Sequence, residues 1–228
     1  MKYLVQIFTL TILFACTEKV QIFQEKDPVI HNLSYLALGD SYTIGESVSE
    51  SERWPNQLES RLINDSTGIS TEIIAKTGWR TDNLLSAAED QLTDEKFDIV
   101  SLLIGVNNEF QGEDPNDFEQ KFRTCLNFAI KHSKKGKDGV FIVSIPDYGY
   151  TPYGQSNQKS ISERLAQYNA ICKSVAETEG ILFIDITPIS QNGLIQPELV
   201  ASDGLHPSGT QYGLWADLMV EPLRRLME

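Results

Sequence analysis

The chain is poor in cysteine, histidine and positive charge. Of 228 residues only three are Cys and three are His, and 19 Lys and Arg face 32 Asp and Glu, for a net charge of −13. Each shortage excludes something. Cys125 and Cys172 fall in separate predicted helices, without C-x-x-C spacing or clustered histidines, so no metal site is expected, while a bridge between the two stays open if the protein is exported. Both are read as buried free thiols on apolar helix faces. The acidic balance argues against a nucleic-acid partner, which needs clustered Lys and Arg against phosphate. One dense basic stretch, Lys131-His132-Ser133-Lys134-Lys135-Gly136-Lys137, sits where a helix should end and reads as a solvated terminus. Long apolar runs are also missing. Leu4 to Ala15 spans about twelve residues, against the roughly twenty that a membrane-spanning helix needs.

What is present fits one folded domain. Hydrophobic content of 41% and charged content of 22% are ordinary for a globular protein of this size. Lys2 followed by the short apolar run reads as a signal peptide over residues 1–15. Its end, Leu13-Phe14-Ala15-Cys16, resembles the lipobox of bacterial lipoproteins, in which the cysteine becomes the lipid-bearing first mature residue. That resemblance implies an exported lipoprotein, membrane-anchored in the periplasm or at the cell surface and touching the membrane only through Cys16. The alternative is a plain secretory signal with an incidental cysteine. Residues 16–32 have no clear period and are read as a tether, with the domain over 33–228.

From Leu33 onward apolar runs alternate with amphipathic helical stretches. Strands are expected at Tyr35–Leu38, Thr71–Ala75, Asp98–Ile104, Val140–Ile145 and Ile181–Asp185. Continuous runs such as Ile99-Val100-Ser101-Leu102-Leu103-Ile104 mark strands buried on both faces, as in a parallel sheet. Helix starts are expected at Trp54-Pro55, at Thr81 as a cap, at Asp114-Pro115, at Ser160 or Ser162, and at Ser208, with Gly180 as a helix stop. Five such alternations imply one doubly wound α/β domain with helices on both faces.

In such a sheet, functional residues gather beyond the carboxyl ends of the strands. The five exits carry Gly39-Asp40-Ser41, Lys76-Thr77-Gly78-Trp79, Gly105-Val106-Asn107-Asn108, Pro146-Asp147-Tyr148-Gly149-Tyr150 and, after a longer loop, Asp203-Gly204-Leu205-His206-Pro207. Together they hold the parts for acyl transfer. Ser41 is a candidate nucleophile that needs a base. His31 lies in the tether and His132 in the basic helix end, which leaves His206. Asp203, three residues earlier, could fix the imidazole tautomer. The Ser41 N–H, the Gly78 N–H and the Asn107 amide are candidate oxyanion donors. Asp40 is read as a support for the turn. Taken singly, each also has a plain structural reading as turn or cap chemistry. Their joint placement at four strand exits favours the catalytic one.

These four blocks resemble the SGNH hydrolases, or GDSL esterase/lipase family. Gly39-Asp40-Ser41-Tyr42 matches the first block with Tyr for Leu, Gly78 the second, Gly105-Val106-Asn107-Asn108 the third, and Asp203-Gly204-Leu205-His206-Pro207 the last. Asn108 stands where many members have Asp. The resemblance implies a three-layer α/β/α flavodoxin-like sandwich with a five-stranded parallel sheet of order 2-1-3-4-5. It also implies a Ser41–His206–Asp203 triad and no cofactor or metal. Small-molecule, glycan and lipid esters all remain open as substrates. A short-chain or carbohydrate O-acyl esterase is the leading expectation, because the loops carry no long apolar lid; Trp79, Phe110, Tyr148, Tyr150 and Tyr153 crowd the strand exits and could stack on sugar rings, line an acyl groove or simply pack the loops. The alternatives are a lysophospholipase or thioesterase acting on lipid acyl groups, and a non-catalytic flavodoxin-like binding module. Against the last, Asp40 and Glu46 would repel an anion, and the loop lacks the Gly-Lys of a P-loop.

Overall fold

A computed structural model describes residues 31–64 and 66–227. The signal-peptide assignment, Cys16 and all but the last two residues of the tether segment lie outside the described residues. Among the described residues, no helix is long and apolar enough to cross a membrane.

Five parallel strands form the sheet: β1 (His31–Gly39), β2 (Thr67–Ala75), β3 (Ile99–Leu103), β4 (Val140–Val143) and β5 (Leu182–Ile184), in the order β2-β1-β3-β4-β5. β3 and β4 are short and apolar because both faces are covered; every residue of each is buried. β1 and β2 run further than expected. β1 starts at His31, inside the segment read as tether, because His31 to Ser34 pair with Thr67 to Ser70 of β2. This added length is backbone pairing at the sheet margin and carries little apolar signal.

The principal helices are α1 (Ser41–Ile44), α2 (Trp54–Leu62), α3 (Thr81–Gln91), α4 (Val106–Phe110), α5 (Pro115–Lys131), α6 (Gln158–Glu179), α7 (Thr187–Ser190) and α8 (Gly209–Met227). The chain steps one way from β1 to β2, then the other way through β3, β4 and β5. Right-handed crossovers therefore put α2 on one face and α3, α5 and α6 on the other. α2 packs on α8, and α5 packs on both α3 and α6. Buried aromatics fill both layers: Trp54 of α2 meets Tyr35 and Phe141 of the sheet, while Phe118 of α5 lies 4.4 Å from the ring of Tyr168 on α6.

Most helix starts follow from local chemistry. Asp114 accepts from the Asn116 N–H at 2.8 Å ahead of Pro115, and Ser208 Oγ accepts from the Gln211 N–H at 3.2 Å ahead of α8. Gly180 closes α6 in the left-handed region at φ 69°. Two starts differ from expectation. α6 begins at Gln158, ahead of both serines, and Thr81 is the first residue of α3 rather than its cap. The Thr81 N–H and hydroxyl are engaged instead by the side chain of Asn108. The lysines of the basic stretch stay at the surface, as at a solvated helix end, and make pairs there. Lys134 pairs with Asp98, Lys137 with Glu179, and Lys135 donates to the last carbonyls of α8. Cys125 and Cys172 are free and buried, and burial raises the Cys125 thiol to about 12.

Candidate active site

The chain reverses direction between its steps from β1 to β2 and from β2 to β3, so the crevice at the carboxyl ends of β1 and β3 is the switch point where ligands bind in such sheets. Ser41 follows β1 and Asn107 follows β3, one on each side. The turn from β1 into α1 is tight enough to demand glycine. A Cβ on Gly39 would stand 2.1 Å from Thr43 Oγ1 and 2.6 Å from the Leu103 carbonyl oxygen. Asp40 is the non-helical cap, its Oδ1 accepting from the Tyr42 N–H at 3.0 Å. Its Oδ2 is buried without a partner among the described residues, and burial raises the carboxyl to about 7 against the Tyr42 hydrogen bond. Ser41 is thus the first residue of α1 and borders a cavity of about 160 Å³ that Gly78, Asn107 and His206 also line.

The last loop delivers the candidate base. His206 Nδ1 lies 2.6 Å from Asp203 Oδ2. Asp203 Oδ1 accepts from the Leu205 and His206 N–H groups at 2.9 and 3.0 Å, and Ser47 Oγ donates to Oδ2 at 2.7 Å. Burial opposes the Asp203 charge, but the bonds from Ser47, His206 and the two backbone groups outweigh it and hold the carboxyl well below its usual range. An ionised Asp203 has no proton to give, so the hydrogen of this bond is carried by Nδ1, and Nε2 is the nitrogen left for the cavity. The ring of Tyr42 packs edge-on against the imidazole at 5.7 Å. Ser41 Oγ and His206 share the cavity without a hydrogen bond between them.

Three N–H sources border the same space. The Ser41 N–H is at the first helical position, where no intrahelical partner exists. Gly78 holds φ +83°, which a side chain would strain, and its N–H has no partner among the described residues. Asn107 spends one amide hydrogen on the Trp79 carbonyl at 2.9 Å, which orients the second. The neighbouring Asn108 is fully buried and does different work. Its amide bonds Thr81 Oγ1 and Glu113, and its oxygen accepts from the Thr81 N–H, locking α4 to the start of α3.

Of the five aromatics at the strand exits, Phe110 and Tyr148 line the cavity, whereas Trp79 packs against the core and Tyr150 and Tyr153 stand outside the lining. Phe110 is 55% exposed and meets Tyr148 and Tyr153 at 6.1 and 6.5 Å, which makes an open aromatic rim. Glu109, for which the sequence carries no motif, has a fully buried carboxylate. It accepts from Tyr148 Oη at 2.9 Å and from Arg164 Nε. The pair fixes the Tyr148 ring and the helix carrying Asn107. Nothing local in the sequence signals the contact of Ser47 with Asp203 either, since 156 positions separate them. Among the described residues, no group of three or more His, Cys, Asp or Glu could hold a metal ion.

A hydroxyl at the end of a buried strand, an imidazole bonded to a carboxylate, and N–H donors bordering the same cavity are the parts that acyl transfer requires. The model of the GDSL-like lipase/acylhydrolase family matches residues 37–214, and the chain belongs to that family. It is a carboxylic ester hydrolase. A search of curated proteins found no sequence match. Solved structures share the fold at low identity. A member of the lipolytic G-D-S-L family from Veillonella parvula is 17% identical, with a TM-score of 0.70 over 84% of this chain and 98% of that one. A lipase/acylhydrolase from Enterococcus faecalis is 18% identical, with a TM-score of 0.66 over 85% and 96%. An acetylxylan esterase from Geobacillus stearothermophilus is 19% identical, with a TM-score of 0.64 over 89% and 96%.

Proposed function

We propose that Ser41, His206 and Asp203 act as a catalytic triad on short-chain acyl esters, with a carbohydrate or other small alcohol as leaving group. The observation that carries this reading is the Asp203–His206 hydrogen bond of 2.6 Å at the wall of the cavity that Ser41 also lines. His206 Nε2 takes the Ser41 proton as Oγ attacks the ester carbonyl. The developing oxyanion is received by the N–H groups of Ser41 and Gly78 and by the Asn107 amide. The imidazolium, stabilised by Asp203, returns the proton to the leaving alcohol. His206 then activates a water that releases the acid from the acyl-enzyme.

Size and shape favour a short acyl group. The cavity of about 160 Å³ is smaller than the roughly 300 to 1,000 Å³ of sites that enclose drug-sized ligands. Its apolar walls, Val106, Phe110, Tyr148 and Leu205, suit a small acyl chain, and the exposed Phe110–Tyr153 rim offers faces on which a sugar ring could stack. The same rim favours the second reading, a lysophospholipase or thioesterase that lays a longer chain along the surface. Rates on p-nitrophenyl esters from acetate to palmitate, together with acetate release from an acetylated oligosaccharide, separate the two. The first reading expects a maximum at acetate or butyrate and release from the oligosaccharide; a maximum at eight carbons or more would contradict it. For the amino terminus, the proposal is export and lipidation at Cys16, supported by the lipobox resemblance. Mass spectrometry of the mature protein from its native host would show an acylated Cys16 at the amino terminus. An unmodified one would refute it.

A further inference from the structure

Among the described residues, Ser47 is the one non-glycine residue with positive φ, at 68°. L-residues other than Asn and Asp rarely enter this region, and such outliers cluster where function over-determines the backbone. The left-handed turn at Gly45 and Ser47 carries the chain away from the nucleophile helix and brings the Ser47 hydroxyl to the last loop. There it meets Asp203 Oδ2 at 2.7 Å, the same oxygen that His206 Nδ1 meets at 2.6 Å. An ionised carboxylate offers about four acceptor positions. Here all are used: Leu205 N–H and His206 N–H on Oδ1, Ser47 Oγ and His206 Nδ1 on Oδ2. One residue earlier, Glu46 accepts a hydrogen bond from Thr77, next to the oxyanion glycine Gly78. The segment after Ser41 thus touches two of the three other loops that carry candidate site residues, those of Gly78 and of Asp203.

We infer that Ser47 is a positioning residue for the triad: it completes the acceptor set of Asp203 and so fixes the carboxylate plane against which His206 is oriented. The inference rests on the triad reading above. Ser47 does not line the cavity and so acts only through Asp203. Losing its hydroxyl should leave KM unchanged and lower kcat by roughly tenfold, the worth of one charge-assisted hydrogen bond after allowance for solvent exposure. It should also return negative charge to the oxygen facing the imidazole, which moves the acid limb of kcat/KM to higher pH.

The test compares Ser47→Ala and Ser47→Gly in the full mature chain on p-nitrophenyl acetate, with circular dichroism as a check on folding. Glycine takes φ 68° without strain, so it removes the hydroxyl while keeping the turn. Similar kcat losses and the same upward shift of the acid limb in both variants are the expected result. Wild-type kcat and pH profile in both, or a loss in Ser47→Ala that Ser47→Gly restores, would overturn the inference. In an Asp203→Ala background, Ser47→Ala should cost nothing more; an additive loss would show that Ser47 does not act through Asp203. If Asp203→Ala alone leaves the rate at wild type, the triad reading itself fails, an outcome distinct from failure at Ser47.

Discussion

Asp40 and Asp203 are carboxylates of one site, and their surroundings push them in opposite directions. Burial with an unpartnered Oδ2 raises Asp40 to about 7, whereas four hydrogen bonds outweigh partial burial at Asp203 and hold it low. The linkage signs differ accordingly. Asp203 contributes stability above its unfolded pKa, and that contribution is lost as pH falls through its folded value. Asp40 binds its proton more tightly in the fold, so its contribution is complete at low pH and is lost as pH rises from about 4 to about 7. Asp40→Asn mimics the protonated form and still offers an oxygen to the Tyr42 N–H. Relative to wild type, it should match stability near pH 4 and exceed it at pH 8 by as much as about 4 kcal/mol, read from urea unfolding at the two values. A difference independent of pH would contradict the assignment. Asn107 gives a second residue-scale prediction. Asn107→Ala removes one preorganised donor and should lower kcat by about 100- to 1,000-fold with little change in KM. A loss confined to KM would place Asn107 in substrate binding instead.

At the scale of elements, the site depends on how each strand end is joined to its next turn and helix. The β1–α1 turn brings a helix against the backbone of β3 with no space for a methyl group at residue 39. Gly39→Ala should therefore destabilise the domain by about 2 to 4 kcal/mol and misplace Ser41, so that urea midpoint and kcat fall together. A stable, active variant would show that the turn yields more easily than these distances imply. The same joints explain which features are legible in the sequence. Strand identity and the Ser41, Gly78, Asn107, Asp203 and His206 positions follow from apolar runs and from the short motifs at their ends, because both are local. The sheet order comes with the family resemblance that those motifs carry. The starts of β1 and β2 are not legible, since His31↔Thr67 pairing is between polar stretches with no alternation. Nor is the start of α3, because Asn108 reaches Thr81 from another element. Glu109 and Ser47 stay hidden for the same reason: their partners, Arg164 and Asp203, are distant in sequence.

At the scale of the whole molecule, the doubly wound sheet gathers loops from four separate strands onto one edge. The rest of the domain holds that edge still. Trp54, Tyr35 and Phe141 pack one layer, Phe118, Phe122 and Tyr168 the other, and the buried Glu109 ties α4 to α6 through Arg164 behind the cavity. The central claim is that this assembly makes Ser41 a nucleophile through His206. A fluorophosphonate probe with peptide mapping by mass spectrometry tests it most directly. The account predicts one covalent adduct on the peptide containing Ser41 in the wild-type protein, none in Ser41→Ala, and strongly slowed labelling in His206→Ala. An adduct on another serine, or ester hydrolysis by Ser41→Ala at the wild-type rate, would contradict it.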